Sequence, residues 1–521
     1  MTGPTLSTAV PPVRERAPDA EHVGRRQIRG SSLLLMGRLM ALGSKLLAQV
    51  LLVRYLTVAD YGVWAYGLSI VALLGGFAHL SLDRAVTRFT AIYHERGQHS
   101  HFFGVIALVM GTVLVTGMLF VGGIYAFQDQ LAGLLNQSEH SIALLLILVF
   151  LVPLEALDTL LTAILASLGA TRAIFVRRYV MAPAIQLGAV LLLALMHAKV
   201  AFLAWAYVGG AVFGVALSAW LLLGILRQQG LLRALRDEGV HVPAGELFRF
   251  SVPLMTSDWL AAMIESSGTL VLGYFYATEH VALFRTVFPL AVLNKIVIHS
   301  FGTLYEPAVA RLFARGDTRG IGALYWETTL WIAVLTFPIF ALTFAAATPL
   351  TVLLYGARYE AAGTVLAVLA LGQFLQAVSG FNGMTIKSVG RVHSLVVINL
   401  LALVVNVTIT LLLVPPFGVM GAAVSLTITL IVHNVLKQVG LYYATGIALP
   451  ARRLVRPFAA VGATIVALSA LLVFGVRTPA LLVLAAVAAS LLVAGYARRT
   501  LRIGEVFPEL RRIRYLRPLL T

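Results

Sequence analysis

An apolar stretch with two internal cations, residues 31–64, constrains this chain more than any other feature of its sequence. It is long enough to cross a lipid bilayer, which takes about 20 mostly apolar residues. Arg38 and Lys45 lie about two helical turns apart, so a helix would present both on nearly one face. A charge near mid-membrane costs at least ~2.5–3.5 kcal/mol. This face is therefore predicted to border a wet cavity or a partner helix rather than lipid.

Similar apolar runs follow along the rest of the chain, and the length rule predicts about fourteen membrane spans. The protein is 60% hydrophobic and only 12% charged, whereas an ordinary soluble domain is about 25% charged. The predicted fold class is therefore an all-α, polytopic membrane protein. The chain has no cysteine, which excludes disulfides and thiolate metal sites.

The distribution of basic residues predicts the orientation. Most of the 39 Lys and Arg residues fall in loops on one side of the predicted spans, which the positive-inside rule makes cytoplasmic. Both termini are then cytoplasmic. Because the net charge of +17 is spread over loops rather than gathered in one basic domain, no nucleic-acid partner is expected. The cations assigned to the opposite side are Arg54, Lys199, Arg285, Arg358 and Arg477, and those assigned to span interiors are Arg38, Lys45 and Lys295.

The sequence also repeats itself. Residues 55–64, YLTVADYGVW, resemble residues 275–284, FYATEHVALF, and residues 167–169 resemble residues 388–390 at nearly the same offset. We interpret this as a duplicated unit of about six spans, which predicts two lobes related by a pseudo-two-fold axis along the membrane normal. The predicted segments are a disordered cytoplasmic tail (1–30), an N-terminal lobe (31–229), a cytoplasmic linker (230–247), a C-terminal lobe (248–445), an extra helix pair (446–497) and a basic cytoplasmic tail (498–521).

Two acids occupy the repeat positions of the first two cations. Asp258 corresponds to Arg38, and Glu265 corresponds to Lys45. We assign all four residues to a central substrate cavity, where the opposite charges would pair or bind a cation. Purely structural buried ion pairs are the alternative.

Further polar residues fall inside later spans. Lys295 and His299 share one face of the eighth span and are assigned to the same cavity. There they would contact a phosphate, or equally lean toward the lipid headgroups. Glu155 and Asp158 share one face of the fourth span, and the repeat places Gln376 at the position equivalent to Glu155. Because neighbouring carboxylates raise each other's proton affinity, these three form a candidate site for a coupling proton or sodium ion. Capping of a proline-broken helix by Glu155 is the alternative.

The sequence contains no enzyme constellation. It has no GxxxxGK[ST] phosphate loop, no HExxH and no Asp-x-Asp pair. The prediction is a protein that is not an enzyme and that holds no cofactor and no metal.

Residues 51–77, LLVRYLTVADYGVWAYGLSIVALLGGF, and residues 83–97, DRAVTRFTAIYHERG, resemble the polysaccharide (O-antigen-type) flippases of the multidrug/oligosaccharidyl-lipid/polysaccharide exporter superfamily. Residues 355–370, YGARYEAAGTVLAVLA, are similar to the same family. The resemblance implies two lobes around a V-shaped cavity with alternating access. The substrate would be a polyprenyl-diphosphate-linked oligosaccharide, moved across the bacterial inner membrane with coupling to H⁺ or Na⁺. Membrane lipids and glycan polymerases are the other implied partners.

Three alternatives stay open at this point. Lipid II flippases, to which the chain is also similar, line their cavity with several arginines, and Arg38 is the match in kind here. The acids in the predicted cavity equal or outnumber its cations, however, which departs from a purely cationic phosphate site. A cation-coupled drug antiporter of the same superfamily would use those acids as its main site. A membrane glycan polymerase or ligase would need more room than the short predicted external loops provide.

Overall fold

The computed structural model describes residues 17–135, 139–232, 239–447, 450, 452–476 and 478–501, without the side chains of residues 17–35, 134, 135, 303, 304 and 499. Helices joined by short turns make up this part of the chain, and no strand occurs within it. Peptide groups in lipid have no water to bond, so each apolar segment satisfies its own backbone as a helix. The predicted all-α membrane class is confirmed.

The N-terminal lobe begins earlier than expected. Helix α1 starts at Ala17, so residues 17–30 are helical and the predicted disordered tail was wrong for them; residues 1–16 lie outside the described part. The helical elements of this lobe are α1 (Ala17–Tyr55), α2 (Val58–Ala78), α3 (Leu82–Glu95), α4 (His99–Ala126), α5 (Gln128–Leu135), α6 (Glu139–Leu148), α7 (Leu151–Ser167), α8 (Thr171–Ile174), a π-helical segment (Phe175–Met181), α9 (Ala182–Leu195) and α10 (Val200–Gln228).

The C-terminal lobe begins with a helix that takes up the end of the predicted linker. Its elements are α11 (Ala244–Phe275), α12 (Thr278–Val292), a first 3₁₀ turn (Leu293–Lys295), α13 (Ile296–Ala314), α14 (Thr318–Ala345), α15 (Ala347–Tyr355), a second 3₁₀ turn (Ala357–Tyr359), α16 (Ala362–Ser379), α17 (Phe381–Ser388) and α18 (Val392–Thr445). Two further helices, α19 (Arg452–Val473) and α20 (Pro479–Leu501), pack together on α14.

Helix α18 is a hairpin rather than one rod. Gly418 has φ 53° and ψ −128°, far from helical values, and lies two residues after the second of two consecutive prolines. Hydrogen bonds at 3.1 Å join Thr410 to Ser425, and Asn406 to Thr429, so the two arms run antiparallel. Over the described residues, twelve helical segments are long and apolar enough to cross a membrane, with α18 counted once and α11 not among them. The total of about fourteen spans stays a prediction.

The duplicated turns have the same geometry. Thr57 precedes α2 with φ −63° and ψ 161°, and Ala277 precedes α12 with φ −64° and ψ 158°. The Thr57 hydroxyl accepts a hydrogen bond from the Asp60 backbone N–H at 3.1 Å, so it starts α2 directly after α1 ends. We call the end of the bundle that carries these turns and residues 345–362 the outer end, following the predicted orientation.

The two lobes meet along α2. This helix packs against α6 and α7 in its own lobe, and against α11 and α12 in the other lobe. Helix α1 packs mainly on α9 and the π-helical segment, and it reaches the other lobe at α12 and α15. The seam along α2 is therefore the main contact between the lobes.

Candidate functional site

The inner part of the seam between the lobes is held by Asp258 on α11. Its carboxylate accepts hydrogen bonds from the Ser81 hydroxyl at 2.6 Å and from the Arg84 guanidinium at 2.9 Å. The indole N–H of the adjacent Trp259 donates to the carbonyl of Gly76 at 2.8 Å. The structure thus pairs Asp258 with Arg84 on α3. The repeat had predicted Arg38 as its partner instead.

The seam continues beyond Arg84 along α3. Arg88 lies over the ring of Phe250, 4.8 Å from its centroid, and the Tyr93 hydroxyl donates to Glu246 at 3.0 Å. Burial and the hydrogen bond to Glu246 raise the pKa of the Tyr93 phenol, so it remains a donor at neutral pH. Helix α3 therefore fastens the N-terminal lobe to the first half of α11.

Glu265 also has a partner different from the predicted one. Its carboxylate lies 3.4 Å from the ammonium group of Lys295, in the same lobe, rather than beside Lys45. Lys295 closes the first 3₁₀ turn, which interrupts the helical run between α12 and α13. The side chain of Lys295 is 15% exposed and that of Glu265 is 56% exposed, so the carboxylate is the more accessible partner.

Lys45 interacts instead with charges of its own lobe. It interacts electrostatically with Arg178 on the π-helical segment and with Glu155 on α7. All three side chains are exposed at the protein surface, although their helices are among the candidate spans. Such surface must face lipid or an open cavity, and a group of three charges fits the cavity.

The carboxylate pair proposed for ion coupling is not free in this structure. Asp158 accepts from the guanidinium of Arg177 at 2.8 Å and from the Ser218 hydroxyl at 3.0 Å. Arg177 is only 7% exposed, and its Nε–H donates to the Gly214 carbonyl at 3.0 Å. Asp158 is therefore neutralised within the N-terminal lobe. It lies three residues after Glu155 in sequence, but its bonds are to Arg177 and Ser218.

The third residue of that proposed site lies apart from the other two. Gln376 is on α16, which packs on α12, α14 and α18 of the C-terminal lobe, whereas α7 packs on α3, α4 and α10. Among the described side chains, the buried carbonyl oxygen of Gln376 has no hydrogen-bond partner. Its role stays a prediction.

The remaining predicted cavity residues come together between the lobes. His299 interacts electrostatically with Arg38 across the lobe boundary and with Lys295 one turn away. Lys295 in turn is near Lys437 on the second arm of α18. Above this group toward the outer end, Arg285 on α12 interacts with Tyr61 on α2 and with Glu265. Cations of both lobes therefore lie close to the boundary between the lobes.

Comparison with known proteins places the chain in a family. The family model described as "Polysaccharide biosynthesis protein" matches residues 51–364. The chain belongs to this polysaccharide biosynthesis family.

One curated relative and several solved structures match this polysaccharide biosynthesis protein at low identity. A probable low-salt glycan biosynthesis flippase of Haloferax volcanii, Agl15, is 20% identical over 193 residues, which span 37% of this chain and 41% of that protein. The lipid II flippase MurJ in an inward closed conformation aligns with TM-score 0.67 at 13% identity, covering 91% of this chain and 99% of MurJ. An inward-facing multidrug resistance MATE transporter of the MOP superfamily aligns with TM-score 0.63 at 13% identity, covering 78% and 93%. These proteins are transporters or flippases, which agrees with the prediction that the chain is not an enzyme.

Four cations of this family member lie inside helices where the sequence pattern had predicted loops. Arg177, Arg178, Arg285 and Lys437 were assigned to loops, yet they lie in helices that are long enough to span the membrane. Apolar residues flank each of these cations, and this pattern was the available signal for a position inside a span. The loop assignment did not take that signal into account. Asp158 and Asp258 are bound to arginines, so Glu155 and Glu265 are the predicted cavity acids without an arginine bound to them. The balance of acids and cations in the cavity stays a prediction. The cations that interact electrostatically with one another, with these acids or with His299 are Arg38, Lys45, Arg178, Arg285, Lys295 and Lys437.

Proposed function

We propose that this protein is an inner-membrane flippase that moves a polyprenyl-diphosphate-linked oligosaccharide to the outer leaflet by alternating access. The family, whose model is named for polysaccharide biosynthesis, and the transporter fold support transport of a glycan precursor. The observation that carries the choice of a diphosphate is the group of cations close to the boundary between the lobes. Location in the bacterial inner membrane with both termini in the cytoplasm belongs to the same proposal and rests on the positive-inside distribution.

Unpaired positive charge inside the membrane is costly, and a bound diphosphate would offset that cost. Each cation near mid-membrane costs at least ~2.5–3.5 kcal/mol, and repulsion among cations adds to that cost. Arg38, Lys45 and Arg178 come from the N-terminal lobe, while Lys295 and Lys437 come from the C-terminal lobe. A diphosphate bound between the lobes would compensate both sets at once. Charge-assisted hydrogen bonds of this kind are about twice as strong as neutral ones.

Coupling to an ion gradient is the second part of the proposal. Glu155 is the candidate for binding a proton or a sodium ion, because Arg177 already neutralises Asp158. Glu155 interacts with Lys45, which belongs to the proposed diphosphate site. Cation binding at Glu155 would then change the charge seen by the substrate. Gln376 is the counterpart in the C-terminal lobe.

The test is transport by the purified protein in proteoliposomes. The probe is a fluorescent polyprenyl-diphosphate N-acetylglucosamine, and its appearance in the opposite leaflet is followed by quenching with dithionite. We expect Arg38→Gln and Lys45→Gln each to lower the rate about tenfold, the loss expected for one hydrogen bond to a charged group. Arg315→Gln is the matched control, since Arg315 is an exposed cation in the turn after α13 and should leave the rate unchanged.

Two outcomes would contradict the proposal. One is a normal rate in the Arg38→Gln, Lys45→Gln double variant at wild-type protein levels. The other is equal transport of the same sugar linked to an uncharged polyprenol, because a cationic site should require the diphosphate.

Lipid II translocation is the second candidate, favoured by the alignment that covers 91% of this chain and 99% of MurJ. It would use the same cations, so the two candidates differ in the headgroup. Competition of the probe by lipid II, but not by a diphosphate-linked oligosaccharide without peptide, would favour this alternative. A drug antiporter is less well supported, because arginines form ion pairs with two of the carboxylates that it would need to bind a cation.

A further inference from the structure

The two sequence stretches that carry most of the family resemblance meet at the outer end of the molecule. One is the end of α1 with the start of α2, and the other is the end of α15 with the second 3₁₀ turn. Each contains one exposed arginine, Arg54 in the first and Arg358 in the second. These residues belong to different lobes and lie far from the charged cavity along α1.

The two arginines bind each other's helices reciprocally. Arg54 donates from Nε to the carbonyl of Leu354 at 2.7 Å, and from Nη2 to the carbonyl of Leu353 at 2.6 Å. Arg358 donates from Nη2 to the carbonyl of Arg54 at 2.9 Å and also to the carbonyl of Val53.

The four accepting carbonyls lie in the last turns of α1 and α15. The last carbonyls of a helix lack partners within the helix, and they form the negative end of its dipole. Each arginine therefore caps a helix C-terminus of the opposite lobe.

Glycines near the two arginines shape the ends of the helices so that this contact can form. Gly356 has φ 96°, a value that favours glycine, and it ends α15 so that the following 3₁₀ turn presents Arg358. Tyr359 anchors that turn with a fully buried side chain. On the other side, a Cβ at Gly62 would overlap the carbonyl of Thr278, so glycine is what allows α2 and α12 to meet just below the arginines.

Polar groups that the closed contact leaves without partners lie directly beneath the arginines. In the described structure the Tyr355 hydroxyl and the Thr351 hydroxyl are buried and accept or donate no hydrogen bond. Burial of an unpaired hydroxyl destabilises the state that buries it. Opening of the outer end would expose these groups to water, so they oppose the contact that the arginines stabilise.

We propose that Arg54 and Arg358 form the latch of an outer gate, which must open when the protein turns outward. The proposal rests on alternating access between the two lobes. The latch stabilises the outward-closed state, and the unpaired hydroxyls beneath it limit that stability so that the gate can open. Loss of either arginine shifts the population toward the outward-open state.

The absence of cysteine from the chain provides the assay. Thr286 is fully buried and lies beside Tyr61 and Tyr359 below the latch, so a Thr286→Cys variant carries a single thiol that reports opening. A charged, membrane-impermeant maleimide is added from the outside of cells, and the labelling rate is measured. We expect Arg54→Gln and Arg358→Gln in this background each to raise the rate about fivefold, the shift expected for losing one hydrogen-bonded group.

Two controls separate the latch from other effects. Lys199→Gln removes an exposed cation at the start of α10 at the same end and should leave the rate unchanged. Thr336→Cys places the thiol at a buried position of α14 away from the gate, and it should stay unlabelled in the latch variants. Equal labelling of Thr286→Cys with and without the arginines, including none in either, would overturn the proposal. A matching rise at Thr336→Cys would also overturn it, because it indicates general unfolding. Neither result depends on the identity of the transported lipid.

Discussion

The buried pair of Asp158 and Arg177 should be structural, and removing one partner should harm the protein more than removing both. The pair holds α7, the π-helical segment and α10 together through three hydrogen bonds at 2.8–3.0 Å. Arg177→Gln would leave the carboxylate with only the Ser218 hydroxyl. Breaking a buried ion pair costs ~3–5 kcal/mol in general. Since the Asp158 side chain is 31% exposed, we expect the lower end of that range, about 3 kcal/mol.

The double variant is the reference for the stability loss caused by the single change. Arg177→Gln with Asp158→Asn removes both charges and leaves groups that can bond to each other, so the expected loss is about 1 kcal/mol, the value of one net hydrogen bond. Gly214→Ala should behave like Arg177→Gln, because its Cβ would overlap the guanidinium. Arg172→Gln is the nearby control, since Arg172 is exposed on α8 and makes no part of this pair or of the proposed substrate site.

The measurement is thermal unfolding of the purified protein in detergent, combined with the proteoliposome assay at several proton and sodium gradients. We expect Arg177→Gln to unfold at a lower temperature than the double variant, and the double variant to keep the ion dependence of transport. A double variant as unstable as Arg177→Gln would refute the uncompensated-charge argument. A stable double variant whose transport no longer depends on the ion gradient would support the original assignment of Asp158 to the coupling site.

Three other predictions concern the lobe contacts and the orientation. Arg84→Gln and Asp258→Asn should each speed inward opening, and a double-mutant cycle on the rate of transport should give a coupling of about 0.5–1 kcal/mol, as for a partly exposed pair; strictly additive effects would exclude the pairing. Gly62→Ala should lower both thermal stability and transport, because the added methyl group separates α2 from α12, whereas Gly75→Ala on the same helix has open space and should be neutral in both measurements. A single cysteine at Glu139 should react with an impermeant maleimide from the outside and one at Arg236 only after permeabilisation; the reverse pattern would invert the orientation.

The two latch arginines show what the sequence could predict about the outer end and what it could not. Arg54 and Arg358 were both assigned to the outer side from charge distribution alone, and the structure places them together at one end of the bundle. Their contact could not be predicted, because residues so far apart in the chain meet only through the packing of α1 against α15. The bonded groups are also backbone carbonyls, which carry no sequence signal.

The cavity charges show the limit of reasoning by repeat. Arg38, Lys45 and Lys295 were found because a cation inside an apolar run is conspicuous, and the structure brings two of them into one charged group with His299. The repeat placed Asp258 at the equivalent of Arg38, but equivalent residues need not touch. The partner of Asp258 is Arg84 on α3, the helix that follows α2. The duplication gave no information about the direction in which α3 runs.

By itself the sequence determined the all-α membrane fold, because lipid leaves a chain with this many apolar runs no other way to bond its backbone. It also predicts that charges inside the spans lie between helices or at a cavity rather than against lipid, since exposure to hydrocarbon is costly. Only the tertiary structure decided which charges pair. Partner choice depends on the rotation and tilt of each helix, as for Asp158 with Arg177 and Glu265 with Lys295. Those angles follow from side-chain packing over the whole bundle, and no local pattern encodes them.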